Sequence, residues 1–145
     1  MPPATPAKPV GSISRLRRFL LLELPGWAIL AVSVAYTMSA SGGAAVVFFQ
    51  LVLLSAALAW LFGGRLQSIT AASFLFGWAG GAMAWFNLLA MASIGVFLLP
   101  ISAFVLVVLV LLLRARNLRS WAAAGGGVAL AIAVQQVFLG LFAGR

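Results

Sequence analysis

Three apolar runs leave this chain little choice of solvent. Phe19 to Phe62 and Thr70 to Leu113 are each twice the roughly 20 residues that a helix needs to cross a bilayer, and Trp121 to Phe142 is long enough to cross once. In hydrocarbon every backbone amide must be bonded within its own segment or a closed barrel, and runs this continuous are helical. With 65% hydrophobic and 7% charged residues in 145, too little polar surface remains to cover a core in water. The expected fold is therefore all-α: a polytopic transmembrane bundle of about five helices.

The first long run breaks at Ser39-Ala40-Ser41-Gly42-Gly43 and the second near Ser93-Ile94-Gly95. Helices are expected over 19–38, 44–62, 70–91, 95–113 and 121–142. Residues 1–12 hold four of the six prolines and read as a disordered cytoplasmic tail, with Pro3, Pro6 and Pro9 on one edge if the tail is extended. The remainder, 13–145, is one transmembrane domain. Arginines followed by an apolar stretch and Ser39-Ala40-Ser41 have the outline of a secretory leader. The stretch is too long, is interrupted by Glu23 and Pro25, and is followed by four more spans, so a retained first span is expected.

Charge gives this parse a direction. Five alternating spans put Lys8, Arg15, Arg17, Arg18, Arg65, Arg114, Arg116 and Arg119 on one side of the membrane and Arg145 alone on the other. Cytoplasmic loops are the ones enriched in Lys and Arg, so the N-terminus lies inside and the C-terminus outside. Trp60 and Trp121 fall at expected inner helix ends and Tyr36 at an outer one, where amphipathic rings favour the headgroup region. The arginines would also draw anionic lipid headgroups to the inner face. A preference for Arg over Lys, with much Ala and Gly, points to a bacterial inner membrane.

The same inventory removes most chemistry. The chain has no Cys, no His and a single acid, Glu23, which leaves no thiolate, no imidazole base or ligand and no carboxylate pair. Neither an enzyme nor a metal or other cofactor is expected. The net charge of +8 sits in short gaps between spans rather than on a phosphate-tracking face, so nucleic acid is not an expected partner. Gly125-Gly126-Gly127 lies inside a span and reads as helix packing, not as a phosphate loop.

What remains are polar and small residues inside the membrane. Glu23 lies five residues past Arg18, a spacing that turns the two side chains apart on an α-helix, so its partner is expected among the other inner-face arginines. Pro25 and Gly26 should kink the helix beside it, and Pro100 should bend the fourth span. Gln50, Asn87, Gln135 and Gln136 all count to the outer half of the bilayer and suggest one polar layer, either interhelical glue or the lining of a small pocket.

Helix-packing rows are expected at Ser73, Gly77 and Gly81 in the third span, and at Ala122, Gly126, Ala129, Ala133, Gln136 and Gly140 in the fifth. A matching row, Gly43, Val46, Gln50, Leu53, Ala57, Trp60 and Gly64, marks the second span and is expected to face the fifth. The segment Phe104 to Leu113 has no small or polar residue and should face lipid, an apolar ligand or a larger subunit.

Three functions fit such a chain. One is a structural or accessory subunit, or assembly factor, of a larger membrane complex. A second is a homo-oligomeric transporter or channel for a small solute or ion, lined by Glu23 or the amides. A third is a holder of an apolar cofactor or lipid. The partners expected are other membrane subunits or copies of the chain itself.

Overall fold

The computed structural model describes residues 10–39, 42–90 and 95–143. Among them there is no strand; the elements are α1 (Val10–Arg18), a π turn (Phe19–Glu23), α2 (Leu24–Ser39), α3 (Ala44–Gly63), α4 (Ile69–Leu89), α5 (Gly95–Arg114) and α6 (Leu118–Ala143). α1, the π turn and α2 run on as one helix, so the described residues form a bundle of five helical rods. Four spans, Ile13–Ser39, Ala44–Gly63, Ile69–Leu89 and Leu118–Leu141, are long and apolar enough to cross a membrane. α5 is a 20-residue apolar helix with Pro100 inside it. The protein is a multi-pass membrane protein.

The expected boundaries and the observed ones differ by a few residues at most, except at the start. The first helix begins at Val10, directly after the last proline of the tail, so residues 10–12 are helical rather than part of a structureless segment. Residues 1–9, the middle of the Ser39–Gly43 break, the Ser93-Ile94 turn and Arg145 lie outside the described residues. Gly43 opens α3 with φ 155° and ψ 161°, a region open essentially only to glycine, which accounts for the Gly pair at this turn.

α4 is the centre of the bundle. α3, α5 and α6 all pack on it, and α2 closes the far side of α3. Its approach to α6 is made by glycine: a Cβ on Gly77 would strike the Ala124 carbonyl oxygen, one on Gly127 would strike the Phe74 carbonyl oxygen, and one on Gly81 would lie 2.8 Å from the Val128 Cα. α4 and α6 are thus parallel and in backbone contact. Against α3, which runs antiparallel, α4 packs larger groups: Phe76 on Trp60 at 4.9 Å, the Trp78 indole donating to Ser55 Oγ at 3.2 Å, and Phe86 on Phe49 at 5.6 Å.

Four sequence expectations need correction. In α6 the face used inside the chain is Ser120, Ala124, Gly127, Ala131 and Gln135, all buried, whereas Ala122, Gly126, Ala129, Ala133, Gln136 and Gly140 face outward. Both rows repeat at spacings of three and four and both are small, so periodicity alone does not choose between them. The α3 row does not face α6 along its length: α3 packs on α2 and α4 and meets α6 through the Phe48–Phe138 stack. Trp60 is fully buried against Phe76 rather than sitting in the headgroup belt. The apolar segment of α5 is two-sided, with Val105, Val108, Leu109 and Leu113 buried and Leu106, Val107, Val110 and Leu111 outward.

Candidate functional site

Two polar regions stand out, one toward each end of the bundle. At the end away from the arginines the helix registers bring the amides to similar depths. Gly77 meets Ala124 and Gly81 meets Val128; carried two turns outward, that register puts Asn87 level with Gln135. The antiparallel register through Trp78–Ser55 and Phe86–Phe49 puts Gln50 opposite residues 83–85 of α4, about 3–6 Å short of the level of Asn87. Gln136, one residue and therefore about 100° round α6 from Gln135, faces outward and does not join them.

The layer is only half satisfied. Gln50 Nε2 donates to Ser33 Oγ at 2.9 Å, and Gln135 Nε2 donates back to the Ala131 carbonyl at 3.2 Å. Asn87 is 7% exposed and Gln135 0%. The carbonyl oxygens Gln50 Oε1, Asn87 Oδ1 and Gln135 Oε1 have no partner, nor does the Trp85 indole N–H. Leaving a buried acceptor unpaired costs about 1–3 kcal/mol, so three within about two helical turns form a polar patch in the apolar interior. Immediately outward lies an aromatic cluster, with Tyr36 edge-on to Phe86 at 5.3 Å and Phe48 stacked on Phe138 at 3.6 Å. No group in the layer is ionisable, so it can offer hydrogen bonds to a neutral or cationic donor but cannot move a proton itself.

At the other end the structure gathers the arginines. Arg17 and Arg114 line one groove, Arg18 and Arg65 line a cleft, and Arg116 reaches into the mouth of the bundle. The Arg116 guanidinium donates to Ser73 Oγ at 2.7 Å and to the Ile69 carbonyl at 3.3 Å, and its centre lies 5.8 Å from the centroid of the Phe76 ring. Partial burial lowers its basicity, although a guanidinium stays charged at any physiological pH. Ser73, expected only as a small packing residue, is thus also the ligand of Arg116. Nothing in the spacing announces this, because the two positions are 43 residues apart.

Glu23 is exposed and makes no ion pair among the described residues, so the expected lock between the first helix and a distant arginine is absent. Instead it lines a cleft of about 170 Å³ together with Arg18, Arg65 and Trp27. The π turn explains how Arg18 came to share that cleft. Pro25 cannot donate a hydrogen bond, and just before it the Leu24 N–H closes onto the Phe19 carbonyl, a wider loop that brings residues five apart onto one side. An α-helical count turns Arg18 away from Glu23; the π register turns it back. Gly26 follows because a Cβ there would lie 2.7 Å from Leu61 of α3.

Of the remaining positions singled out in the sequence, Ser73, Gly77 and Gly81 all lie buried in α4, and Arg15 and Arg119 are exposed at the arginine end. Ser33 on α2 was not singled out and supplies the acceptor for Gln50; a lone serine in an apolar helix was the available signal. No protein-family model matches this chain, and no curated protein or solved structure matches it either.

Proposed function

We propose that this protein is a structural or accessory subunit, or an assembly factor, of a larger complex in a bacterial inner membrane, and that α6 is the helix that docks. The observation that carries this is Gln136. Its amide lies within the span Leu118–Leu141 yet on the outward face, where hydrocarbon offers no hydrogen bond. The residues around it on that face, Gly126, Ala129, Ala133 and Gly140, are the small ones that let a second helix come close enough to bond an amide. A helix meant only for lipid has no use for this combination.

The chain has no cysteine, which makes the test clean. Ala129→Cys on α6 and Val107→Cys on the outward side of α5 are expressed in the native membrane, crosslinked, and the products weighed. Crosslinking of the α6 variant to another membrane protein, with the α5 variant inert, is expected. A protein that purifies alone at its own mass, with neither position crosslinking, would end the proposal; a product of twice the chain mass would replace the foreign subunit with a second copy.

A second reading rests on a different observation, the unpaired amide oxygens of the outer layer, which are the kind of group that lines a path for a small solute. Flux into proteoliposomes is then expected to fall in Gln50→Leu with Gln135→Leu. Flux indistinguishable from that of the parent, or none in either, removes this reading.

A further inference from the structure

The arginine end holds a groove that neither reading uses. α2 packs against α5, but between α1 and the last turn of α5 an open groove of about 490 Å³ remains, within the range of about 300–1,000 Å³ typical of ligand sites. Its floor is apolar, formed by Leu20 and Leu21 from the π turn and Leu111 from α5; Leu20 and Leu111 are 42% and 49% exposed. Arg17 and Arg114 line the same groove.

The order of these residues along their helices gives the groove a polarity. α1 runs into the membrane, so Leu20 and Leu21 lie about 4–6 Å deeper than Arg17; α5 runs out of it, so Leu111 lies about 4–5 Å deeper than Arg114. On both walls the guanidinium therefore lies on the aqueous side of the leucine floor, with Ile13 and Leu16 lining the α1 wall beyond Arg17. No carboxylate lines the groove, since Glu23, the one acid of the chain, lines the separate cleft with Arg18 and Arg65.

We infer that this groove binds an anionic phospholipid of the inner leaflet, its phosphate held by Arg17 and Arg114 and one acyl chain laid along Leu20, Leu21 and Leu111. Guanidinium donors match phosphate oxygens in pairs, which a single lysine does not. A zwitterionic lipid would bring its own cation toward two uncompensated arginines with no acid to receive it. A free phosphate would leave the leucine floor bare. Basic clefts between helices on the inner side are a recurrent place for anionic headgroups. This inference is independent of the docking face on α6, which lies on a different helix.

The full chain in phosphatidylcholine nanodiscs is titrated with phosphatidylglycerol, and bound lipid is counted by native mass spectrometry. One tightly held phosphatidylglycerol per chain is expected, with affinity about thirtyfold weaker in R17Q/R114Q, the loss for two near-surface cations. R119Q, which removes an arginine outside the groove, is expected to bind like the parent. Leu111→Trp fills the floor without touching the charge and is expected to expel the lipid while the helical circular dichroism is retained, so a folding defect in the double variant does not decide the matter. Equal weakening in R119Q would reduce the site to general surface charge and overturn it. So would unchanged binding in Leu111→Trp, equal retention of phosphatidylcholine, or full competition by glycerol 3-phosphate, which carries the phosphate without the chain.

Discussion

α4 and α6 are built from nearly the same ingredients and have opposite surroundings. Both run outward from the arginine end, both are long enough to span, and both are rich in Gly and Ala. Yet 56% of the α4 span is buried against 22% of the α6 span. α4 is packed by α3, α5 and α6, whereas α6 rests chiefly on α4. Small side chains therefore report that a helix is approached closely without saying by what. α4 spends its small residues on neighbours within the chain. α6 carries two small rows, one turned to α4 and one turned away, and the second is the difference that needs a cause outside the chain.

The widest separation between the two rows comes from adding one methyl group to each. A Cβ at Gly127 would strike the Phe74 carbonyl and lie 2.6 Å from the Trp78 amide nitrogen; both are backbone, so α4 and α6 have to move apart. Overpacking of this kind costs about 3 kcal/mol at the top of its usual range, and the helix propensity gained by replacing Gly returns about 1 kcal/mol. Gly127→Ala is expected to lose about 2 kcal/mol of unfolding free energy in micelles. At Gly126 the nearest atom to a Cβ is 3.9 Å away, in the Phe74 ring. Gly126→Ala is expected to keep the fold at least as stable as the parent while weakening recovery of the partner from native membranes. If both variants destabilised equally, the distinction between an inner and an outer row would fail.

The difference between those rows marks the limit of what the sequence discloses. Helix positions were legible because apolar runs end at arginines or glycine pairs, and the gathering of arginines at one end followed from charge alone. The nearness in depth of Asn87 and Gln135 was legible too, with Gln50 about 3–6 Å further in, since depth needs only a count of 1.5 Å per residue. Direction round the helix was not. Two overlapping rows of period seven lie one or two residues apart on α6, and choosing the wrong one turned Gln136 inward. The π turn was also hidden: Pro25 announces a disturbance, but only the closure of Leu24 onto Phe19 shows that the turn widens and turns Arg18 toward Glu23. Arg116 and Ser73 meet only through the packing of α4 beside the loop before α6, which no local pattern encodes.

That contact supplies a smaller test of the same contrast. Arg116 ties the first turn of α4 to the loop that starts α6, whereas Arg119 projects freely from the first turn of α6. A charge-assisted bond is worth roughly 1.5–3 kcal/mol when buried, and partial exposure reduces it, so Arg116→Gln is expected to lose about 1 kcal/mol and Arg119→Gln nothing measurable. The sign of the pH dependence follows from burial, which lowers the Arg116 pKa. A base depressed in the folded state alters stability only as pH rises through the folded value toward the unfolded one, far above neutrality. The difference between parent and Arg116→Gln is therefore expected to be flat from about pH 5 to 9. A slope in that window would mean that another group carries the effect.

The smallest expected effect separates two neighbouring residues. Gln135 and Gln136 share chemistry and depth and differ only in direction. Replacing Gln135 by Leu removes one bond to the Ala131 carbonyl and, with it, an unpaired buried oxygen. An apolar group of similar shape is then close to neutral, and Gln135→Leu is expected to change unfolding by less than about 0.6 kcal/mol, the scale of one interhelical hydrogen bond in a membrane. Gln136→Leu is expected to leave unfolding unchanged, because it has no hydrogen-bond partner among the described residues, and to reduce partner capture about threefold, the equivalent of that one bond. The decisive quantity is the ratio of the two effects in the two assays. If Gln136→Leu altered unfolding and left capture intact, the outward face of α6 would be a lipid surface after all, and the contrast with α4 would come down to exposure alone.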